Sequence, residues 1–271
     1  MSNPGWVLLV GGLMLGLTAC GGLTLPVTAT PTPQTASPTS TATTVWFPPT
    51  DTPTAFPTNT LGPTPAPPGG IGSLIFSDSF NQASVWSTAS SSTAQAAVEF
   101  NRLVLSLSGP GPAQILSLRS EPSVSNFYAE ATASLQLCIG GDRYGFIFRA
   151  SPGGNYYRLV LDCSGKMRLE RVLSENPEVL QDWIPSGDVP TGAPGEVKFG
   201  VWAAGGLLRF FLNDRYQFSA RDPTLASGTL GFYIYANGPT PVSVDFSNLS
   251  VFSVSTAALT QTAVASGTPS P

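Results

Sequence analysis

The stretch LCIGGDRYGFIFRASPGGNYYRLVLDCSG (residues 137–165) places two of the chain's three cysteines at the ends of one strand-like run. Within it Tyr144, Phe146 and Phe148 recur at every second position, and so do Tyr157, Leu159 and Leu161. A period of two is that of a β-strand with one buried face. Gly140-Gly141, Pro152-Gly153-Gly154 and Gly165 mark turns. The segment therefore reads as two strands, 143–150 and 155–162, joined by a turn at 151–154. Cys138 closes the strand before them and Cys163 closes the second. In an up-and-down meander both cysteines fall at the same end of one sheet, two strands or about 9–10 Å apart. A disulfide needs Cα atoms within about 7 Å. The expectation is that the glycine turns fold toward each other and that a Cys138–Cys163 bridge staples them over the sheet edge. Closing such a loop contributes roughly 3 kcal/mol in the chain-entropy model.

The same alternation continues outward. Segments 74–80, 96–100, 103–108, 113–118, 126–137, 166–172, 196–204, 206–213, 229–236 and 242–254 are β-rich and mostly separated by Gly, Pro, Asn or Asp. The clearest hairpin is Ala203-Ala204-Gly205-Gly206, between two strong strands. About a dozen strands at regular spacing, with no amphipathic helix, predict an all-β antiparallel two-sheet sandwich or jelly roll. Charge bounds the domain. Before residue 72 the only charged side chain is Asp51, after Ser255 there is none, and all twelve basic residues lie between Arg102 and Arg221. One globular unit over 72–254 follows, of ordinary size for a single core and expected to be monomeric. A net charge of −4 argues against nucleic acid as partner.

Ahead of the domain, VLLVGGLMLGL (7–17) has the length of a signal-peptide core. It ends in Leu17-Thr18-Ala19-Cys20, which resembles the lipobox of bacterial lipoproteins, although MSNPGW before it carries no Lys or Arg. That resemblance implies a leader over 1–20, lipidation of Cys20, and an exported protein held on the outer side of the cytoplasmic membrane or on the cell surface. In such an oxidising place the other two cysteines form an even pair. TATPTPQTASPTSTATT (28–44) and PTDTPTAFPTNTLGPTPAPP (49–68) lack the apolar content to bury a core. Residues 21–71 read as an extended stalk, on the order of 100 Å long at about 3.1 Å per residue. Residues 255–271 read as a second disordered segment.

Taken in order, FSDSF with Trp86 close behind, DRYGFIFRA, NYYRLVLDCSGKMRLERV, VKFGVWAAGGLLRFFLND, GTLGFYIYA and VDFSNLSVF resemble the concanavalin A-like, or laminin-G-like, jelly-roll domains of bacterial surface proteins. The resemblance spans nearly all of 73–254 and implies a fold rather than a function. Glycan-cleaving enzymes of this fold use a pair of carboxylates about 5–10 Å apart, set on one strand as ExDxxE in the best-known family, and this chain has no such motif. Glu175 and Glu178 read as lying in one loop, Asp182 and Asp188 in another beside Trp183, and Glu130 and Glu170 stand alone on their strands. The chain has no His, so triads with an imidazole base are excluded. The expectation is a non-catalytic binding module for a carbohydrate or surface polymer. A protein-contact module, or a hydrolase whose carboxylates meet from distant strands, are the alternatives.

Strand parity selects the candidate site. If Tyr144, Phe146, Phe148, Tyr157, Leu159, Leu161, Val197, Phe199, Val201, Leu208, Phe210 and Leu212 are core, then the opposite parity forms another face. That face holds Arg149, Tyr156, Arg158, Arg168, Glu170, Lys198, Trp202, Arg209 and Phe211. Trp and Tyr rings stack on sugars, and Arg forks bind hydroxyls and carboxylates. The same residues also fit a solvated face of cross-strand Arg–Glu pairs. Trp86 and Trp183 read as caps of the core. No cofactor is expected beyond a structural Ca²⁺ between Asp78 and Asp245, on a first and a last strand that pair. Asn248-Leu249-Ser250 fits a glycosylation sequon but falls in mid-strand.

Overall fold

Two-residue turns organise much of the chain. Gly205-Gly206 joins Ala204 to its register partner Leu207, as the sequence predicts. Three further tight turns contain no glycine: Phe100-Asn101, Ser174-Glu175 and Asn213-Asp214, each with positive φ at both positions. This is the backbone of the primed hairpin turns, whose twist matches that of the flanking strands. Residues 173 onward, expected as loop, are therefore a hairpin running into a further strand.

The structure, a computed structural model, describes residues 69–255. The expected leader with Cys20, the expected stalk up to residue 68 and the expected disordered segment from 256 on lie outside the described residues. The strands are β1 (Ile71–Asp78), β2 (Ala89–Ser90), β3 (Ala94–Glu99), β4 (Arg102–Leu107), β5 (Ala113–Leu118), β6 (Phe127–Leu137), β7 (Arg143–Ser151) and β8 (Asn155–Asp162), followed by β9 (Lys166–Leu173), β10 (Asn176–Pro185), β11 (Gly195–Ala204), β12 (Leu207–Leu212), β13 (Arg215–Arg221), β14 (Thr229–Ala236) and β15 (Val242–Val254). A single 3₁₀ turn at Ala83–Val85 is the one helical element among the described residues. No helix among them is long and apolar enough to cross a membrane.

The strands form two antiparallel sheets. One runs β13-β12-β11-β6-β15-β4-β3-β2, with β1 also on β15, and the other runs β10-β9-β8-β7-β14-β5. Strand β15 is the long spine of the first sheet. It pairs with β6 along one side, and with β4 and then β1 along the other, Ile71 standing opposite Val254. Strand β10 is an edge strand and carries Pro177 and Pro185, which only an edge tolerates readily.

The core lies between the sheets, and the predicted parity holds there. Tyr144, Phe146, Phe148, Tyr157, Leu159 and Leu161 from one sheet meet Val197, Phe199, Val201, Leu208, Phe210 and Leu212 from the other in one buried cluster. Trp86 caps this cluster as expected, stacked on Phe80 and close to Phe232.

The meander assumption fails at one point. Strand β6 belongs to the first sheet and β7 and β8 to the second, so the chain changes sheet at residues 138–142. The Cys138–Cys163 disulfide is present, with Cα atoms 5.9 Å apart. It links the two sheets through the end of the core rather than clipping turns over an edge, and both cysteines are buried. Crossing between sheets brings the cysteines together without the turn movement that a single sheet would require.

Candidate functional site

Two sheets have two outer faces, and the face expected from parity divides between them. On the second sheet β8 and β9 turn Tyr156, Arg158, Val160, Arg168, Glu170 and Val172 outward, and β14 adds Tyr233 and Tyr235. Trp202, Arg209, Phe211 and Lys198 stand on the outer face of the first sheet, beside Tyr128 and Phe252. The two groups share no surface.

Trp202 is the main correction. It is fully buried, donates its Nε1–H to the Gly69 carbonyl at 3.1 Å, and has the Arg209 guanidinium 4.8 Å over its ring. The chain entering β1 and Arg209 cover the indole, so no ring face is left for a sugar. Arg149 also leaves the expected face. A bulge between Phe148 and Ser151 breaks the register, and Arg149 takes φ 51°. Its guanidinium is buried and donates to the carbonyls of Leu225 and Ser125, both at 2.8 Å, so it serves as a structural clamp.

Asp78 and Asp245 do not converge. Strands β1 and β15 pair as expected, but Asp78 faces Leu249, and Asp245 lies four residues away in the half of β15 that pairs with β4. Asp78 accepts from Phe80 N, Trp86 Nε1 and Arg119 Nε, and Asp245 pairs with Arg102. No group of three or more Cys, Asp or Glu side chains among the described residues is placed to share a metal ion.

The second sheet's outer face holds together as a site. Three cross-strand rows build it: Gln114–Tyr235–Arg143–Asp162, Leu116–Tyr233–Gly145–Val160–Arg168, and Leu118–Gly231–Ile147–Arg158–Glu170. Gly145 gives the surface its shape. A Cβ there would stand 2.5 Å from the Tyr233 ring and 2.1 Å from the Leu159 carbonyl oxygen, so only glycine lets the tyrosine lie flat on the sheet. Arg158 then lies over that ring, 4.9 Å from its centroid, and its Nη1 reaches Gln114 at 3.4 Å. Glu170, 1% exposed, pairs with both Arg158 and Arg168. Burial favours the neutral form of Arg158, yet Tyr233 and Glu170 outweigh it and raise its pKa. Burial also raises the pKa of the Tyr233 and Tyr156 phenols, which keeps both as neutral hydroxyls.

Trp183 is the residue that sequence reading misplaced. It is no cap of the core and lies in no loop. Strand β10 sets it half-buried against the outer cluster of Ile147, Tyr156, Val160 and Tyr233. Arg168 lies 4.6 Å and Arg143 5.6 Å from its ring, and Arg143 is also 4.8 Å from the Tyr235 ring. Arg143 has outward parity, opposite Tyr144, a signal that parity alone could have given.

Two pairs of acidic residues share a cation, Glu178 with Asp222 at Arg171 and Glu130 with Asp214 at Lys198. Glu130 stands on the other outer face, 3.7 Å from Lys198, while Glu178 pairs with Arg171 and Asp188 with Arg215. Asp182 accepts from the Trp183 backbone N–H, and Glu175 sits in the exposed β9–β10 turn.

No protein-family model and no curated protein matches the chain. Among solved structures, a Bacillus subtilis protein of unknown function with a galectin-like fold is similar at 14% identity and TM-score 0.50, over 68% of this chain and 97% of that one. The fold is a concanavalin A-like jelly-roll sandwich. The carbohydrate-binding module CBM66 from Bacillus subtilis is similar at 18% identity and TM-score 0.49, over 62% of this chain and 96% of that one. The catalytic domain of an endo-1,3-β-glucanase (laminarinase) from Thermotoga petrophila follows at 10% and 0.47, over 67% and 97%. At such identities the likeness concerns fold alone.

Proposed function

We propose that this protein is a non-catalytic carbohydrate-binding module, displayed outside the cell, and that the outer face of the six-stranded sheet is its binding surface. The observation that carries this reading is the half-buried platform of Trp183, Tyr235, Arg143 and Arg168 on a sheet face that would otherwise be solvated. Rings supply apolar contact to a sugar's C–H faces, and guanidinium forks supply directional donors to its oxygens. The non-catalytic half is supported at the platform itself, where Glu170 is the buried carboxylate, and by the engagement of the acids that do lie close together, Glu178 with Asp222 and Glu130 with Asp214, each pair bound to a shared cation. Glycoside hydrolysis needs two carboxylates about 5–10 Å apart. Glu130 and Glu170 lie on opposite outer faces, and both oxygens of Glu170 are engaged by arginines.

The test is a glycan array probed with the chain from residue 21 onward, beside Trp183→Ala. Selective binding that weakens at least about tenfold in the variant is expected, because one ring orients both guanidinium groups. Absence of binding by a chain that still melts cooperatively would sink the reading.

Display rests on the leader and Leu17-Thr18-Ala19-Cys20. Cells fed a radiolabelled fatty acid should label the protein and retain it in the membrane fraction, whereas Cys20→Ala should abolish the label. Equal labelling of both would rule out Cys20 as the anchor.

A further inference from the structure

The three arginines of the platform differ in their partners. Arg158 and Arg168 share Glu170. Among the described residues the Arg143 guanidinium has no carboxylate within ion-pair distance and no hydrogen bond, only the rings of Trp183 and Tyr235 on either hand. Its cross-strand neighbour Asp162 carries the carboxylate that stands opposite it in register. That carboxylate is turned into its own turn instead, where Oδ1 accepts from Ser164 N, Ser164 Oγ and Lys166 N. Lys166, the next residue along that row, is exposed and likewise has no acidic partner. The face thus carries Arg143, Arg158, Arg168 and Lys166 against Glu170, Asp162 and, beside Tyr156, Glu175, a local excess of positive charge in a chain of net charge −4. Holding a half-buried guanidinium away from any anion costs free energy that ring contacts only partly offset. A ligand anion at that position would supply the missing partner.

Resting on the carbohydrate reading above, we infer that the preferred ligand is an anionic glycan, whose carboxylate or sulfate is taken by the Arg143 fork between Trp183 and Tyr235. A planar fork pairs with either group through two parallel N–H···O bonds, and rings on both sides hold it in the orientation for doing so.

The experiment titrates the full chain in detergent with polygalacturonate, a sulfated galactan, and neutral laminarin and dextran at matched mass. The wild type is expected to bind at least one anionic polymer tenfold or more tightly than the neutral ones, and to lose that margin as salt is raised. The two anionic arms separate a carboxylate from a sulfate ester. Arg143→Gln should erase the preference for the anionic polymer, and Arg143→Lys, which keeps charge but not the fork, should restore only part of it. If neutral glycans bind as tightly as anionic ones and Arg143→Gln changes nothing, the anionic inference falls and the carbohydrate reading stands. If no polymer of any charge binds to a chain with an unchanged melting transition, both fall.

Discussion

Glu170→Ala is expected to destabilise the domain by about 3–5 kcal/mol, because it leaves Arg158 and Arg168 beside each other without their anion. Glu170 is 1% exposed, and the side chains of Arg158 and Arg168 are only 11% and 16% exposed, so water cannot readily replace the lost carboxylate. Urea unfolding of the variant beside the wild type measures the loss directly. A triple change, Glu170→Leu with Arg158→Met and Arg168→Met, should cost far less than the single one, since removing a whole buried ionic cluster strands no charge. A loss below 1 kcal/mol in Glu170→Ala would mean that the cluster is hydrated in solution and the face more open than described above.

The second large effect is expected at the bridge. Replacing Cys138 and Cys163 together by alanine frees a loop with a sequence separation of 25, which costs about 3.5 kcal/mol in the chain-entropy model. For a domain of this size that is a drop in Tm of roughly 7–14 °C. Calorimetry of the double variant, and of the wild type with and without reductant, should give matching shifts. Thiols at both positions that react with an alkylating reagent when the wild type is denatured without reductant would show that the two cysteines are unpaired in the protein.

Periodicity made the core legible. Alternation in GFIFRA, NYYRLVLD and LLRFFLND places every inward aromatic on the correct side, because a strand's side-chain period follows from backbone geometry and survives any arrangement of the sheets. It cannot tell which strands share a sheet, since that depends on contacts distant in sequence. Alternation therefore pairs Cys138 with Cys163 through the wrong path, and groups Trp202 with Arg158 although a whole sandwich separates them. Turns without glycine were the second blind spot. Ser174-Glu175 adopts positive φ with residues that do not announce it, and Asn213-Asp214, though both residues tolerate that conformation, leads into a strand too exposed to show a clear alternation, so neither β10 nor β13 is among the expected strands. Trp183, read as a cap of the core, goes to the outer face with β10. The bulge at Arg149 reverses parity from that residue on, so that Ala150 joins the outer cluster, and nothing in the local pattern marks it. Tyr156, Arg158, Arg168 and Glu170 come together on one face because β8 and β9 form an uninterrupted hairpin there.

Ile71 and Val254 face each other in the register of β1 and β15, and Ser255 N closes the pair onto the Gly70 carbonyl at 3.1 Å. Directly opposed residues of antiparallel strands have Cα atoms only about 5 Å apart. The sandwich therefore begins and ends at a single corner. A unit with that geometry is portable: it can be spliced into a surface loop of an unrelated host without prying the host's backbone apart, or strung in tandem with each copy hanging from the main thread like a pendant.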